Sequence, residues 1–365
     1  MNKSAKEINY NIHNILGIRI KTRKRMDICR DMNLPYSYFE VKQTYSPEII
    51  LNIGEFTPQN NSCHVIDHKY HIKENYIYCS EHIGKIKFNI EIINIEKSPV
   101  IINVNSNFRH YKQILFPDVL SQYIALRPVL EFVLLSRGFL PVHAAAAANN
   151  EGTFIFLGRG GTYKTTLMMD YIRKMNYGFL GEDRIILNNK NVFSFPIHYK
   201  LFDYRADYMR TENYSFFDKY KYFQFQKKSV SKPGYIINKS KISSIFLINK
   251  SNTEKMSVKE MARDEVVAKT ILSQKMETIS GPVIMNCSKG IYDYFTAYSY
   301  VFPESKIARY WDDYNLLLTK YLNQNTYYEI SLPKHYTEST FDDFTEIIKS
   351  LENNLCRLET IPSTV

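Results

Sequence analysis

The run Gly158-Arg159-Gly160-Gly161-Thr162-Tyr163-Lys164-Thr165-Thr166 holds the densest chemical signal in the chain. It fits the phosphate-loop pattern GxxxxGK[ST] at every fixed position except the second glycine, which is Tyr163. Glycines let main-chain N–H groups curl around phosphate oxygens, and the helix that follows presents its positive end to them. In such a loop Lys164 reaches the terminal phosphates and the Thr165 hydroxyl ligates Mg²⁺, so all nine residues are expected to line a nucleotide site. Tyr163 works against this. If the loop needs a positive φ there, an aromatic residue is strained by about 1–3 kcal/mol.

Glu182 and Asp183 end an apolar stretch and precede Arg184. Carboxylates at a strand end can do two jobs: one holds Mg²⁺ and one accepts a proton from an attacking hydroxyl. Spacing alone equally allows an acidic turn. His143 lies in the small, apolar run VHAAAAA, where a lone histidine is either a packed core residue or a catalytic one.

A strand, a tight turn, a helix and a second strand are needed to hold these groups. TFIFL (Thr153–Leu157) reads as a buried strand, and Leu167, Met168, Tyr171, Ile172 and Met175 as one face of a helix. GFLGEDRIIL (residues 178–187) reads as a further strand, followed by a turn at 188–191 and VFSFP. Upstream, residues 149–152 fit a hairpin turn. Asp118 is placed to cap a helix carrying Val119, Leu120, Tyr123, Ile124 and Leu126, with Pro128 restarting it and Gly138 ending it. Downstream, residues 242–248 and 326–332 read as strands, and residues 258–274 and 341–351 as helices. Residues 1–115, rich in Ile, Asn, Tyr and Lys, alternate clearly at 86–97 and 100–107. They read as a β-rich N-terminal region, with residues 116–365 as a second domain.

GFLPVHAAA, the GxGGxxKTT loop, and GEDR followed by a hairpin and FP resemble, in order and spacing, the C-terminal catalytic domain of HPr serine kinase/phosphorylase. The likeness is closer to its stand-alone kinase relatives, including those found with modified-peptide gene clusters. It is strong over residues 118–195 and continues weakly to about residue 350. The resemblance implies a mixed α/β fold with an HPr kinase/PEP carboxykinase-like P-loop nucleotide-binding core. It also implies ATP and Mg²⁺, with transfer of the γ-phosphoryl group to a hydroxyl, serine above all, of a peptide, protein or small molecule. Carried across, Lys164 and Thr165 bind phosphate and magnesium. Glu182 stands at the place of the general base, Asp183 matches the second aspartate and joins Thr165 at the metal, and His143 lies beside the base. By analogy a homo-oligomer is implied. The first carboxylate is Glu rather than Asp, so either Glu182 or Asp183 can be the base. The LEIRGxG signature of the bifunctional enzymes is missing from the sequence, so phosphorylase activity is not implied and HPr is not the expected substrate.

Composition sets the outer limits. The 365 residues are 44% apolar, 23% charged and 14% aromatic, which excludes wholesale disorder. A formal charge of +10 permits anionic partners without choosing among them. The best apolar stretch, residues 120–148, is broken by Arg127, Glu131, Arg137 and His143, so no membrane span is expected. The start of the chain lacks a secretory leader, and five dispersed cysteines without CxxC read as reduced thiols, so the expected location is cytoplasmic.

Three further constellations carry less. Cys63, His64, His68, His71, Cys79 and His82 crowd together without zinc-site spacing and read as strand and turn residues. KTRKR (residues 21–25) reads as a solvated loop. Residues 200–232 hold eight basic and four acidic residues among Tyr and Phe, and favour a substrate-facing loop over a nucleic-acid surface. The kinase reading leads. A degenerate phosphate loop serving as a nucleotide-binding or scaffold module is the alternative, ahead of a protein acting on nucleic acid.

Overall fold

The computed structural model describes residues 6–22, 36–43, 46–83, 86–106, 125–196, 236–280, 293–323 and 326–359. Among these residues it is a mixed α/β protein with two mixed sheets and six α-helices. The expected boundary at 115/116, the cap at Asp118 and the aromatic, basic stretch at 200–232 lie outside the described residues. So do Arg23, Lys24 and Arg25 of KTRKR.

The first sheet has nine strands: β1 (Lys6–Ile12), β2 (Leu16–Thr22), β3 (Glu40–Val41), β4 (Ile49–Ile53), β5 (His64–Ile66), β6 (Tyr70–Lys73), β7 (Tyr76–Ile83), β8 (Ile86–Ile93) and β9 (Val100–Ser106). Their order is β3-β1-β2-β4-β9-β8-β7-β6-β5, antiparallel except for β2–β4 and β4–β9. Alternation builds it. Ile18 and Ile20, Ile49 and Leu51, Ile90 and Ile92, and Ile102 and Val104 are buried on one face. The other face carries a polar ladder in which Asn52 donates to Asn103 (2.8 Å) and Asn103 to Glu91 (2.7 Å).

The second sheet comprises β10 (Leu140–Val142), β11 (Ala144–Ala148), β12 (Thr153–Leu157), β13 (Gly178–Gly181), β14 (Ile185–Leu187), β15 (Asn191–Ser194), β16 (Lys239–Lys250), β17 (Ser257–Met261) and β18 (Tyr327–Leu332). Its main path runs β10-β14-β15-β16-β12-β11-β13. The long β16 is the axis. It starts antiparallel to β15, then runs parallel to β12 on one side and β18 on the other. The carboxyl ends of three parallel strands therefore share one edge. The helices are α1 (Arg127–Ser136), α2 (Lys164–Met175), α3 (Arg263–Ser280), α4 (Asp293–Val301), α5 (Tyr310–Tyr321) and α6 (Glu338–Glu359). No helix among the described residues is long and apolar enough to cross a membrane.

The central strands are apolar on both faces because both are covered. Ile155, Leu157, Ile245 and Leu247 pack in the core that includes residues of α1, α3 and α5. Phe154, Phe156, Phe246 and Ile248 pack against Met168 and Tyr171 of α2 and Phe344 of α6. The first sheet joins the former core and is stitched to the second by His13 Nε2 at Ser194 O (2.6 Å), while Arg137, just past the end of α1, donates through Nη1 to Ile15 O (2.7 Å).

Two segments differ from the sequence expectation. Residues 178–187 form two strands with different neighbours, β13 beside β11 and β14 between β10 and β15. The chain turns sharply between them, and a Cβ on Gly181 would lie 2.1 Å from Arg184 O, so only glycine fits. Residues 258–274 begin as β17, because Ser257–Met261 pairs with the free edge of β18 and that pairing overrides helical spacing. The helix starts only at Arg263, with Asp264 and Glu265 in its first turn.

Arg184, fully buried, pairs through Nε with Glu131 Oε1 at 3.2 Å, and Glu131 also accepts from Arg127 Nε at 3.0 Å. Removing one partner of a buried pair leaves the other charge uncompensated. Glu131→Leu is expected to destabilise the fold by about 3–5 kcal/mol. Urea unfolding should show a lower midpoint, recovered in large part by adding Arg184→Met.

Candidate functional site

The phosphate-loop residues occupy the edge where the parallel strands end. Gly158 has φ +134°, and a Cβ there would lie 2.2 Å from Ile248 O of β16, so glycine lets the loop pass against the neighbouring strand. Gly161 is left-handed at φ +81°. Tyr163 is left-handed too, with φ 65° and ψ 14°, and it stands at the N-cap of α2 without capping the helix through its side chain. The position does need the backbone that glycine supplies freely, so Tyr163 holds the strain anticipated from sequence.

Its ring is anchored away from the loop's own main chain. Tyr163 Oη donates to Lys334 O (2.9 Å), the ring lies 5.4 Å from that of Tyr336, and Lys250 Nζ sits 4.7 Å over its face. Tyr336 in turn donates to Asp170 Oδ2 of α2 at 2.8 Å. These contacts strap the loop to the connection between β18 and α6.

Lys164 is buried at the start of α2. Its Nζ donates to Gly158 O (2.7 Å) and Arg159 O (2.6 Å), which leaves a third N–H without a protein acceptor among the described residues. Burial pushes the ammonium down to about 8, while the Asp183 and Glu277 carboxylates act in the opposite direction. Thr162 Oγ1 donates to Arg159 O (2.9 Å), and Thr165 and Thr166 are half-buried on the first turn of α2.

His143 sits in the break between β10 and β11, buried, with Nδ1 3.3 Å from Asp183 Oδ1. The two atoms are within ion-pair distance but off the hydrogen-bond line, so Nδ1 is buried without a hydrogen bond. Burial pushes the imidazole down to about 3; Asp183 opposes this, and Lys164, Arg184 and Arg127 reinforce it. Sequence left Glu182 and Asp183 equivalent. The structure separates them: the Asp183 side chain is 44% exposed and faces His143, whereas Glu182 is 8% exposed.

Helix α3 supplies residues that sequence reasoning missed. Ser273 Oγ lies 3.4 Å from Gly158 O, Arg159 Nη1 lies 3.2 Å from Glu277 Oε1, and Gln274 Oε1 accepts from the main-chain N of His143 (3.1 Å) and from Arg184 Nη1 (3.3 Å). The available signal was faint: Ser273 and Gln274 continue the buried helical stripe begun by Val266, Val267 and Thr270.

Among the described residues no group of three or more His, Cys, Asp and Glu can hold a metal. Thr165 and Asp183 each carry an oxygen of the kind Mg²⁺ takes, an ion that keeps several waters and binds through one or two protein oxygens plus phosphate. In the Cys/His segment, Cys79 is buried in the first sheet, His71 packs on Tyr78 at 5.4 Å and His64 is exposed. The side chain of His82 lies outside the described residues.

Neither a scan against protein-family models nor a search of curated proteins finds a match to this chain.

The depressed imidazole links stability to pH. Its folded value lies below the unfolded one near 6.5, so its contribution is complete above about 6.5 and is lost as pH falls toward about 3. Unfolding free energies of wild type and His143→Asn are expected to shift in favour of the variant as the buffer is taken from pH 7 to pH 4.

Proposed function

We propose that this chain is an ATP- and Mg²⁺-dependent kinase that transfers the γ-phosphoryl group to a hydroxyl, serine above all, of a peptide, protein or small molecule. One observation carries the reading. The Asp183 carboxylate, brought in after β13, acts on both the Lys164 ammonium of the glycine loop and the His143 imidazole that precedes β11. Three chain segments converge where parallel strands end, which is where α/β sheets bind ligands. The order of strand, glycine loop, helix and acidic turn supports the finer resemblance to an HPr kinase/PEP carboxykinase-like core.

Bound Mg²⁺ with ATP supplies a neutralised phosphate chain with a transferable γ-phosphoryl group. The loop of residues 158–163 and the uncapped start of α2 offer N–H groups to the phosphates, and Lys164 adds its third N–H and its charge. Thr165 and one Asp183 oxygen would hold the metal. The other Asp183 oxygen takes the proton of the attacking hydroxyl, and His143, kept neutral by burial, lies beside that carboxylate with Nδ1 3.3 Å from Oδ1. Glu182, buried behind the turn, transfers no proton in this scheme.

A second reading, the degenerate nucleotide-binding or scaffold module, draws on the Lys164 contacts, since two N–H groups already close on the loop's own carbonyls. Calorimetry and phosphate transfer from ATP to serine peptides separate the two. In the kinase, ATP binds with Mg²⁺, Lys164→Ala abolishes binding and transfer, and Asp183→Asn lowers kcat by about 10²–10⁴. In the scaffold, wild type binds ATP weakly or not at all and Tyr163→Gly creates the affinity. ATP binding without transfer to any hydroxyl acceptor defeats the kinase.

A further inference from the structure

We propose that Gln274 is a positioning residue that sets the spacing between His143 and Asp183. The inference deepens the phosphotransfer reading and rests on it. Gln274 is 1% exposed, on the face of α3 turned toward the site. Its amide orientation is fixed by its partners, because the His143 N–H and the Arg184 guanidinium are both donors and only the oxygen can receive them. One donor belongs to the residue that carries the imidazole. The other belongs to the residue that follows Asp183. A single side-chain oxygen thus ties together the two segments that bear the imidazole and the carboxylate.

Stability alone does not explain an amide here. Gln274 Nε2 is buried without a hydrogen bond, and Arg184 Nη2 is in the same condition. Each orphaned donor costs on the order of 1–3 kcal/mol, whereas an apolar side chain of the same size would carry no such donor. What the amide adds is its oxygen. The neighbouring residues of α3 extend the same role to the loop: Ser273 reaches Gly158 O, and Glu277 holds Arg159 while its Oε1 lies 3.9 Å from where a Gly160 Cβ would be. The loop and the His143–Asp183 pair are therefore registered against one turn of one helix.

Two variants isolate the oxygen. Gln274→Glu keeps an acceptor at the same place and exchanges the unpartnered amide for a second oxygen and a negative charge facing Arg184. Gln274→Met keeps the volume and loses the acceptor. Where the methionine variant is too unstable to assay, Gln274→Asn takes its place, with an arm one methylene too short. The acceptor-less variant is expected to lose about 100-fold in kcat with KM for ATP changed less than about twofold, and the glutamate variant to recover most of that loss. A readout that needs no turnover accompanies the kinetics: hydrogen exchange at the His143 amide should accelerate in the methionine or asparagine variant and stay slow in the glutamate variant. Unchanged kcat and unchanged His143 protection in a folded acceptor-less variant overturn the proposal, as does a glutamate variant whose His143 amide exchanges as fast as that of the methionine variant. If wild type transfers no phosphate, the kinase reading fails, and the exchange pattern still decides whether Gln274 holds His143.

Discussion

A lysine ammonium buried under a glycine loop is the constraint around which the second half of the chain is arranged. Burial disfavours that charge, and the surroundings compensate incompletely. Two loop carbonyls take two of its hydrogens, and Asp183 and Glu277 supply negative field. Arg159 and Arg184 work against them. In the proposed kinase, a phosphate oxygen would satisfy the remaining N–H and offset the excess positive charge together. Burial keeps the neighbouring imidazole neutral as well, with Lys164, Arg184 and Arg127 adding to it and Asp183 opposing. The lowered His143 imidazole and the lowered Lys164 ammonium both follow first from burial and share Asp183 as the charge that opposes it.

That balance depends on bringing a helix start close to a sheet, and the alanine run makes the approach feasible. Ala145 and Ala147 of β11 face the core shared with α2, while Ala144, Ala146 and Ala148 face the opposite core. Methyl side chains leave room for Phe154 and Phe156 on β12 to carry the bulk against Tyr171 and Phe344. Alternating small and large residues across adjacent strands seats α2 with its amino end over the strand termini. Gly158 and Gly181 complete the seating at two places where a Cβ would collide with a carbonyl oxygen.

Local signals in the sequence went far where one element decides its own structure. The strands at 86–97 and 100–107 appear as β8 and β9, and the hairpin at 149–152 closes with Asn149 Oδ1 accepting from the N–H groups of Glu151 and Gly152. Pro128 opens α1, and Gly138 follows its end with φ +77°. What sequence could not show were choices made by distant partners. Ser257–Met261 is a strand because β18 offers an edge, and residues 178–187 break because a backbone carbonyl fills the space beside Gly181. Around the loop, the helix start at Lys164 and the acidic turn that follows Gly181 were legible through spacing. The separation of Asp183 from Glu182 was not, since it depends on which carboxylate the turn exposes. Nor were Ser273, Gln274 and Glu277, whose positions matter only once α3 is laid beside the loop.

Tyr163 shows how a local violation can be held by tertiary contacts. A left-handed tyrosine before the lysine is costly in isolation, and glycine would relieve it. Glycine would also release the hydroxyl bond to Lys334, the packing on Tyr336 and the cation of Lys250, each of which fastens the loop to the strand order behind it. Flexible glycine loops gain order when phosphate arrives. This loop is braced beforehand from outside by the tyrosine strap and from inside by Lys164 on its carbonyls. Preorganisation of that kind lowers the ordering entropy that binding must overcome, and it narrows the set of shapes the loop can accept. The residue that breaks the motif therefore acts on the same backbone the motif exists to shape, by fixing a conformation that glycine would leave free.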